Sequence, residues 1–497
     1  MRTGVLVAVV IIALVGGACT NDTEGTSTTV ETSTTRPASQ ATVPDLNLEN
    51  YQVPEETVCF YLTEYVAVPN GPDADNTLTY LDEVPASDVI SSTGATDDLP
   101  TNSVDIDVLI AQHVRFFYVG PHDPLQVSLF LRDQPEEIHA SPIHAIGLSG
   151  HINFQPGTDP VKLAVADFAL PDTSPSALDP DLVAVVDSGI ALPPQTARPD
   201  WFYGSNDSRP YVLYEDPIDV EKLGAIPASH GTFVSGLIRQ VAPSKQVTFA
   251  AARPSNPSKI FPRGESSLPQ GLPPTSEIQV AEAIARLILR HSSDGQPTED
   301  VKALNLSLGA YVCDPAKDVD LMTTFAMVGA WLSVFADSET AVMAAGGNET
   351  NPSSASVAND LIPFYPAGLT SWNVDGMHGI GAIAIDGAEI VWDVATKDQV
   401  DAVPGRTWIT ETGPGANLVN LSGGGDGETP ELVCWSGSSF ATAIASARYA
   451  LGGAASIQTD YSVPGLTFAD PDRNALTTVG ESGPTTTDAR GVCTSSE

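Results

Sequence analysis

The chain has 497 residues, 42% of them hydrophobic, and its 22 Lys and Arg stand against 62 Asp and Glu, a net charge of −40. This length favours two folded domains with unstructured ends over a single core. A surface this acidic repels nucleic acid and anionic lipid headgroups, so the composition argues against both as partners and indicates solubility outside a cell.

The first 19 residues are typical of an export signal. Arg2 gives a positive start, and residues 5–15 form an unbroken apolar run that is short for a membrane span. Small residues then lead to Cys19, which resembles a bacterial lipobox with Cys19 as the acylated residue, although Gly16 stands where that pattern usually has an aliphatic residue. The alternative is a simple cleaved signal peptide. We therefore expect an exported chain, either lipid-anchored at the cell surface or secreted.

Two regions follow the signal. Residues 20–50 are rich in Thr, Ser, Glu and Pro, bury too little apolar surface to fold, and predict an extended tether. Residues 51–175 form a separate strand-rich region. Strands are predicted there at 58–62, 114–119 and 125–131, with a loop at 83–104. Three histidines of this region are scattered without metal-ligand spacing, so we expect them on the surface or in packing: His139, His144 and His151.

From residue 176 short apolar runs alternate with helical patterns. Strands are predicted at 182–186, 247–252, 303–308, 340–345 and 381–385, and helices at 230–241, 276–290, 319–335 and 438–450. This alternation predicts an α/β domain over residues 176–453, with a mostly parallel sheet covered by helices and sites at the carboxyl ends of the strands. A Pro-rich stretch at 254–274 predicts an insertion or surface loop. Residues 454–497 predict a C-terminal tail, with one further strand possible at 457–468.

Four residues in this domain predict nucleophilic chemistry. Ser439 lies in a tight turn at the first turn of a predicted helix, and a serine hydroxyl needs an oriented base to become a nucleophile. His230, in the first turn of its predicted helix, can move a proton near neutral pH. Asp187, directly after a predicted strand, can orient that histidine. Asn348, after another predicted strand, can donate to a developing oxyanion together with the Ser439 backbone N–H.

Each motif alone also has a structural explanation. Asp187-Ser188-Gly189 fits a simple turn, His230 fits a helix start, and Asn348-Glu349-Thr350 matches a glycosylation sequon. The four together, in the order Asp, His, Asn, Ser, predict a serine-nucleophile site. An esterase elbow would place a histidine after the serine, and no histidine follows Ser439 in the sequence.

Five segments resemble the subtilases, the subtilisin-like serine peptidases: VVDSG at 185–189, HGTFVSG at 230–236, NLSLG at 305–309, AAGGNE at 344–349 and GSSFA at 437–441. The resemblance implies a three-layer subtilisin-like domain and an endopeptidase with Ser439 as nucleophile, His230 as general base, Asp187 as its orienter and Asn348 as oxyanion donor. It further implies substrate-binding residues of two kinds. Ser307, Leu308 and Gly309 would pair with the substrate backbone, and Ala344, Ala345 and Gly346 would line the specificity pocket.

The resemblance leaves several points open. Ser438 stands where the family usually has Thr, and the tether, the acidic chain and Cys313 are similar to the mycosins, whose membrane helix lies at the C-terminus. Residues 51–175 are either a propeptide or a retained accessory domain. No cofactor is implied for catalysis; structural calcium is common in the family, but its ligands are unassigned here. The substrates implied are peptides or proteins, and the alternative is an inactive subtilase fold that binds peptides at the cell surface.

Five cysteines bear on how the chain is held together: Cys19, Cys59, Cys313, Cys434 and Cys493. If Cys19 carries lipid, the other four allow two disulfides in three connectivities. A disulfide from Cys59 to any of the other three would keep the two halves joined after a cut near residue 175. The cysteines lack metal-ligand spacing, so no metal site is expected.

Overall fold

The computed structural model describes part of the chain. The described residues are 37, 40–51, 53, 59–94, 103–146, 161–163, 178–191, 202, 211–214, 225–263, 275–293, 296–310, 323–335, 340–347, 364–372, 374–383, 408–423, 430–452, 462–464, 466–470, 475–480 and 483–488.

The N-terminal region is an antiparallel sheet with helices beside it. Its elements are β1 (Cys59–Pro69), α1 (Pro72–Thr77), β2 (Asp82–Val84), α2 (Ala86–Thr93), α3 (Ser103–Ala111), β3 (Val114–Gly120), α4 (Pro124–Arg132) and β4 (Ser141–Ile146). The strands lie in the order β4-β1-β3-β2. The predicted strands at 58–62 and 114–119 are therefore confirmed as β1 and β3.

Two predictions for this region are wrong. The alternating apolar residues at 125–131 form helix α4 because Asp123 caps it, accepting from the Leu125 N–H, and Pro124 occupies its first turn. The predicted loop at 83–104 contains part of β2 and all of α2. The helix α2 forms there because Val89 and Ile90 are buried on one side of it. His144 is buried in packing and His139 has an exposed side chain, as predicted, whereas His151 lies outside the described residues.

The remaining elements follow in chain order. They are β5 (Val161–Lys162), β6 (Leu182–Asp187), β7 (Val212–Tyr214), α5 (Ala225–Val241), β8 (Gln246–Ala251), β9 (Ile260–Arg263), β10 (Thr275–Ser276), α6 (Glu277–His291), β11 (Ser292–Ser293), β12 (Gln296–Pro297), β13 (Val301–Leu306), α7 (Thr323–Phe335), β14 (Ala341–Ala345), β15 (Met377–Ile383), β16 (Glu411–Pro414), β17 (Leu418–Gly423), β18 (Pro430–Trp435), α8 (Ser438–Gly452), β19 (Thr467–Asp470), β20 (Ala475–Gly480) and β21 (Gly483–Asp488).

A parallel seven-stranded sheet forms the centre of this part of the chain, as the α/β prediction requires. Its order is β16-β15-β14-β13-β6-β8-β7, and every neighbouring pair is parallel. All six residues of β6 are buried, which fits a strand covered on both faces.

Helices cover both faces of that sheet and make it the middle of three layers. Alternate residues of β6 enter different cores, since Val183 and Val185 pack with α5 and α8, whereas Ala184 and Val186 pack with α6 and α7. The two helices that carry His230 and Ser439 therefore share one face of the sheet.

A second, antiparallel sheet has the order β21-β20-β19-β17-β18-β5. Three of its strands come from the predicted C-terminal tail. Strand β19 pairs with β17, β20 with β19, and β21 with β20, each antiparallel. Strand β19 overlaps the further strand predicted as possible at 457–468. The prediction of a tail is wrong for β20 and β21. The predicted loop at 254–274 also contains the strand β9, which pairs with β1.

Candidate functional site

Asp187 is the last residue of β6, at the carboxyl edge of the parallel sheet. Its Oδ1 accepts hydrogen bonds from the Ser188 N–H at 2.7 Å and the Ser188 hydroxyl at 3.0 Å. Gly189 then turns the chain away with φ of 135°, a conformation that favours glycine. The predicted role of Gly189 in the turn is confirmed, and the carboxylate is held by the backbone that follows it.

His230 lies on α5, which approaches the turn after Asp187 closely. A Cβ on Gly231 would lie 2.1 Å from the Gly189 carbonyl oxygen, so this approach needs glycine. The Thr232 hydroxyl also accepts from the Ala191 N–H at 2.8 Å. Both contacts fix the start of the His-Gly-Thr segment against the loop that carries the aspartate.

The placement of His230 in the first turn of its helix is wrong. The helix begins at Ala225, and His230 lies more than one turn inside it. Pro227 lies in the first turn of the helix, where backbone N–H groups lack intrahelical partners, so a proline does not stop the helix there.

His230 and Asp187 form a buried hydrogen bond. The His230 Nδ1 lies 2.8 Å from Asp187 Oδ1, and the two side chains are 1% and 0% exposed. A carboxylate can only accept here, so Nδ1 carries the proton and Nε2 is left to accept one. This is the arrangement that a general base of a serine nucleophile requires.

Ser439 is the second residue of α8 and is 4% exposed. The Gly437 carbonyl accepts from the Phe440 N–H at 3.1 Å and starts the helix there. Among the described residues, the Ser439 hydroxyl donates to the Ser307 carbonyl oxygen at 3.2 Å and not to His230. The nucleophile candidate is thus next to the predicted substrate strand, and its hydroxyl bonds to the backbone of that segment.

Aromatic rings hold His230 in place, and the sequence interpretation missed them. The Trp435 ring meets the imidazole edge-on with centroids 5.4 Å apart, and the Phe440 ring lies at the same distance. Phe233 packs on both rings. The positions of Trp435 and Phe440, close to Ser439 in sequence, were the available signal. They link the histidine to the start of α8.

A buried polar network under Ser439 was also missed. The Ser307 hydroxyl lies 2.8 Å from the Ser439 carbonyl oxygen and 2.9 Å from Asn305 Oδ1. The Asn305 amide in turn donates to the Ser446 hydroxyl at 3.1 Å. The network ties the end of β13 to the first three turns of α8, and the polar residues in the NLSLG segment were its signal.

The predicted substrate strand lies beside Ser439. Ser307 follows β13, the neighbour of β6 in the parallel sheet, so it lies at the same edge as Asp187. Leu308 is buried, and a Cβ on Gly309 would touch the Phe364 ring at 2.2 Å. Ala310 then forms an antiparallel bridge with Tyr365.

The predicted pocket wall lies at the next strand end. Ala344 and Ala345 are the last, buried residues of β14. The Gly346 N–H donates to Ile380 O at 2.8 Å, and its carbonyl accepts from the Trp408 indole at 3.2 Å.

Two predicted residues lie outside the described part of the chain, namely Asn348 and Cys19. The residue before Asn348 is described: the Gly347 N–H donates to the Ser438 hydroxyl at 3.2 Å. That contact joins the end of the AAGG segment to the start of α8, next to Ser439.

Cys434 is buried in β18 and is disulfide-bonded. The other four cysteines have no described side chain, so the pairing stays a prediction. Within the described ranges, no three His, Cys, Asp or Glu residues gather as a metal site. No helix of the described residues has the length and apolarity to cross a membrane.

Comparison with known proteins gives likenesses to solved structures alone. The sequence matches no family model, and no curated protein matches it. The epidermin leader peptide processing serine protease from Staphylococcus aureus is 14% identical with a TM-score of 0.38, covering 78% of this chain and 87% of its own.

Two further structures are similar over less of the chain. A cold adapted subtilisin-like serine proteinase is 17% identical with a TM-score of 0.32, covering 61% of this chain and 84% of its own. MycP1 from the ESX-1 type VII secretion system is 15% identical with a TM-score of 0.33, covering 60% of this chain and 78% of its own. At TM-scores below 0.5 these likenesses carry no conclusion about the chemistry of this chain.

Proposed function

We propose that this chain is an exported serine endopeptidase of the subtilisin-like type, with Asp187, His230 and Ser439 as its catalytic triad. The observation that carries the proposal is the buried hydrogen bond of 2.8 Å between His230 Nδ1 and Asp187 Oδ1, at the sheet edge near Ser439 in the first turn of α8. A buried His–Asp pair beside a serine at a helix start is costly to build for packing alone.

The proposed reaction begins with a rotation of the Ser439 hydroxyl from the Ser307 carbonyl towards His230 Nε2. Hydrogen bonds of a catalytic site are often misaligned before substrate binds, so this resting orientation is compatible with activity. The oxygen then attacks the scissile carbonyl carbon while His230 takes its proton, and Asp187 stabilises the imidazolium.

The rest of the cycle follows from the same groups. Asn348 and the Ser439 backbone N–H stabilise the tetrahedral oxyanion. His230 gives its proton to the leaving amine as the C–N bond breaks, leaving an acyl-enzyme on Ser439. Water, deprotonated by His230, then attacks the acyl carbon. As the ester bond to Ser439 breaks, His230 returns the proton to the serine oxygen and the peptide acid is released. Apart from substrate and water, only these residues take part in the proposed steps.

The proposed substrates are peptides or proteins bound in extended form. The position of Ser307 at the sheet edge beside Ser439 supports pairing of the 307–309 segment with the substrate backbone. The buried ends of β13 and β14 bring Ala344, Ala345 and Gly346 to the neighbouring strand end, where they would form the pocket wall.

A second candidate is a non-catalytic peptide-binding protein of the same fold. It is favoured by one observation, the hydrogen bond from the Ser439 hydroxyl to Ser307 rather than to His230. In this alternative the 307–309 segment still binds peptides, but the serine never leaves its backbone acceptor.

Turnover of an internally quenched peptide by purified variants tests the proposal. Ser439→Ala should abolish cleavage, Asp187→Asn should lower kcat by about 10⁴, and Asn348→Ala by about 10²–10³. Ser258→Ala, an exposed serine on the 3₁₀ turn before β9, is the control and should leave kcat unchanged. Peptide binding without turnover by the folded wild-type chain would establish the binding protein instead.

A further inference from the structure

The N-terminal sheet is completed by strands from the later part of the chain. Residues 59–62 of β1 pair antiparallel with β9, and β4 pairs antiparallel with β10. Without those partners both strands would present unpaired backbone N–H and C=O groups along an edge. The two parts of the chain therefore share one six-stranded sheet.

Buried polar contacts join the same two parts. The carboxylate of Glu277, in the first turn of α6, accepts from the backbone N–H of His144 at 2.9 Å and lies 2.9 Å from its Nδ1. Both side chains are buried. The Gln279 amide donates to Ile90 O at 2.9 Å, also in a buried position. Separation would leave each of these groups without its partner, which is costly for buried polar atoms.

An apolar core continues across the same surface. One cluster contains Phe60, Val89 and Ile143 of the N-terminal region together with Ile284 and Leu287 of α6. Residues 35–497 also form a single compact unit. Release of the N-terminal region would expose this shared face of α6 to water.

The docked region lies away from the proposed catalytic helices. It packs on α6, which covers the opposite face of the parallel sheet from α5 and α8. The chain after it adds β5 to the second sheet, where Val161 pairs with Cys434. In the described residues, the N-terminal region therefore packs on the face of the sheet opposite to α5 and α8.

We propose that residues 59–146 are a permanent part of the enzyme and not a propeptide that dissociates from it. A chain cut between β5 and β6, within residues 164–177, remains a complex of two fragments held by the shared sheet and core. The association part of this proposal rests on the contacts above, and its activity part rests on the proposed function.

A recognition site for a specific protease, inserted within residues 164–177 of the full chain, tests this. After complete cutting, native gel filtration under reducing conditions should keep both fragments in one peak, because the contacts do not depend on a disulfide. Labelling by a fluorophosphonate should stay within about twofold of the uncut chain. Separation of folded fragments, or severalfold stronger labelling on release, would overturn the proposal. One peak without labelling of either form would uphold the association and count against the proposed peptidase.

Charge reversal at the contact between β1 and β9 tests whether this contact holds the cut fragments together. Lys259 Nζ lies 2.7 Å from Glu64 Oε2, and both side chains are part-exposed, so Lys259→Glu should fold. Dissociation of the cut fragments in mild urea should become roughly two- to fivefold faster, as for loss of a surface ion pair. Adding Glu64→Lys to the Lys259→Glu chain should restore the slower dissociation rate. Lys302→Glu, beside Asp300, is the matched control and should change nothing. Equal effects of Lys259→Glu and Lys302→Glu would contradict an interface at β9.

Discussion

At the scale of single residues, the candidate site depends on hydrogen bonds and ring contacts that fix the side chains of Asp187 and His230. Asp187 Oδ1 is hydrogen-bonded to His230 Nδ1 and to the backbone N–H and hydroxyl of Ser188. The imidazole therefore cannot turn without breaking a buried hydrogen bond. The aromatic rings of Trp435 and Phe440 restrict the same ring from other sides. The orientation of the His230 imidazole is therefore fixed by its neighbours, as the proposed role of a general base requires.

Asn305 is predicted to be a positioning residue for Ser439. Asn305→Ala removes the acceptor of the Ser307 hydroxyl and the donor to Ser446, so the start of α8 should lose its fixed position. We expect kcat to fall about 10- to 100-fold with KM within about twofold. Steady-state kinetics on a quenched peptide measures this.

The control for Asn305→Ala is Gln279→Ala, which removes another buried amide, on the opposite face of the parallel sheet. It should cost similar stability and leave kcat unchanged. Equal losses of kcat in both variants would mean that Asn305 acts only through stability.

His113 should make the fold less stable in mild acid. Burial lowers the pKa of His113 below its ordinary value of 6.5, so the unfolded chain binds a proton at a higher pH than the folded chain. The unfolded state then holds more protons as the pH falls through 6.5, and the free energy of unfolding decreases.

Urea unfolding at pH 7.5 and 5.5 measures this effect. His113→Gln should reduce the loss of stability between the two values, and the rest should include His291, whose pKa is also lowered by burial. A loss that is identical in His113→Gln would contradict the assignment to this residue.

The candidate site could be predicted largely from the sequence, because it is made of short motifs that each lie at a strand end or near a helix start. Asp187, His230 and Ser439 are brought to one sheet edge as expected from parallel topology. Trp435 and Asn305 were missed because their contacts cross between elements, and no local pattern records which rings or amides will meet.

At the scale of elements, the closest approach in the site is between α5 and the loop after β6. Gly231→Ala would place a Cβ 2.1 Å from the Gly189 carbonyl and 2.9 Å from the Phe249 ring. We expect the free energy of unfolding to fall by about 1–3 kcal/mol, together with loss of activity as His230 moves.

Gly329 is the matched control on a helix, since a Cβ there meets nothing within 4 Å and the residue is exposed. Gly329→Ala should raise the free energy of unfolding by about 0.5–1 kcal/mol and leave activity unchanged. Chemical unfolding measures the free energy of unfolding of both variants. Equal changes in the two would show that the close approach at Gly231 does not determine stability.

Five of the seven parallel strands were predicted, because strands buried on both faces are continuous apolar runs. The two short edge strands, β7 and β16, were missed. The helix α4 was mistaken for a strand because its apolar residues also alternate, and a single cap at Asp123 outweighs that period. The early start of α5 at Ala225 was missed because His230-Gly231-Thr232 is itself a common helix opening.

At the scale of the whole molecule, residues 35–497 form one unit in which distant segments complete each other's sheets. The pairing of β1 with β9 joins residues far apart in sequence, and local patterns carry no record of such pairing. For that reason the sequence suggested two separable regions where a shared core is found.

Attachment to a membrane through Cys19 is a prediction at this scale. In a bacterial host that acylates lipoproteins, Cys19→Ala should move the chain from the membrane fraction to the soluble fraction and prevent labelling by a fatty acid. Gly16→Leu, which brings the segment closer to the lipobox pattern, should keep the label. Membrane association of Cys19→Ala equal to that of the wild type would exclude this anchor.

The central claim is that Ser439 is a nucleophile activated by His230. Reaction of the purified, folded chain with a fluorophosphonate probe, followed by mass spectrometry of its peptides, tests this most directly. We predict one covalent adduct, on Ser439, that is absent from Ser439→Ala and strongly reduced in His230→Ala. No adduct on a folded wild-type chain, or an adduct that persists in Ser439→Ala, would contradict the account.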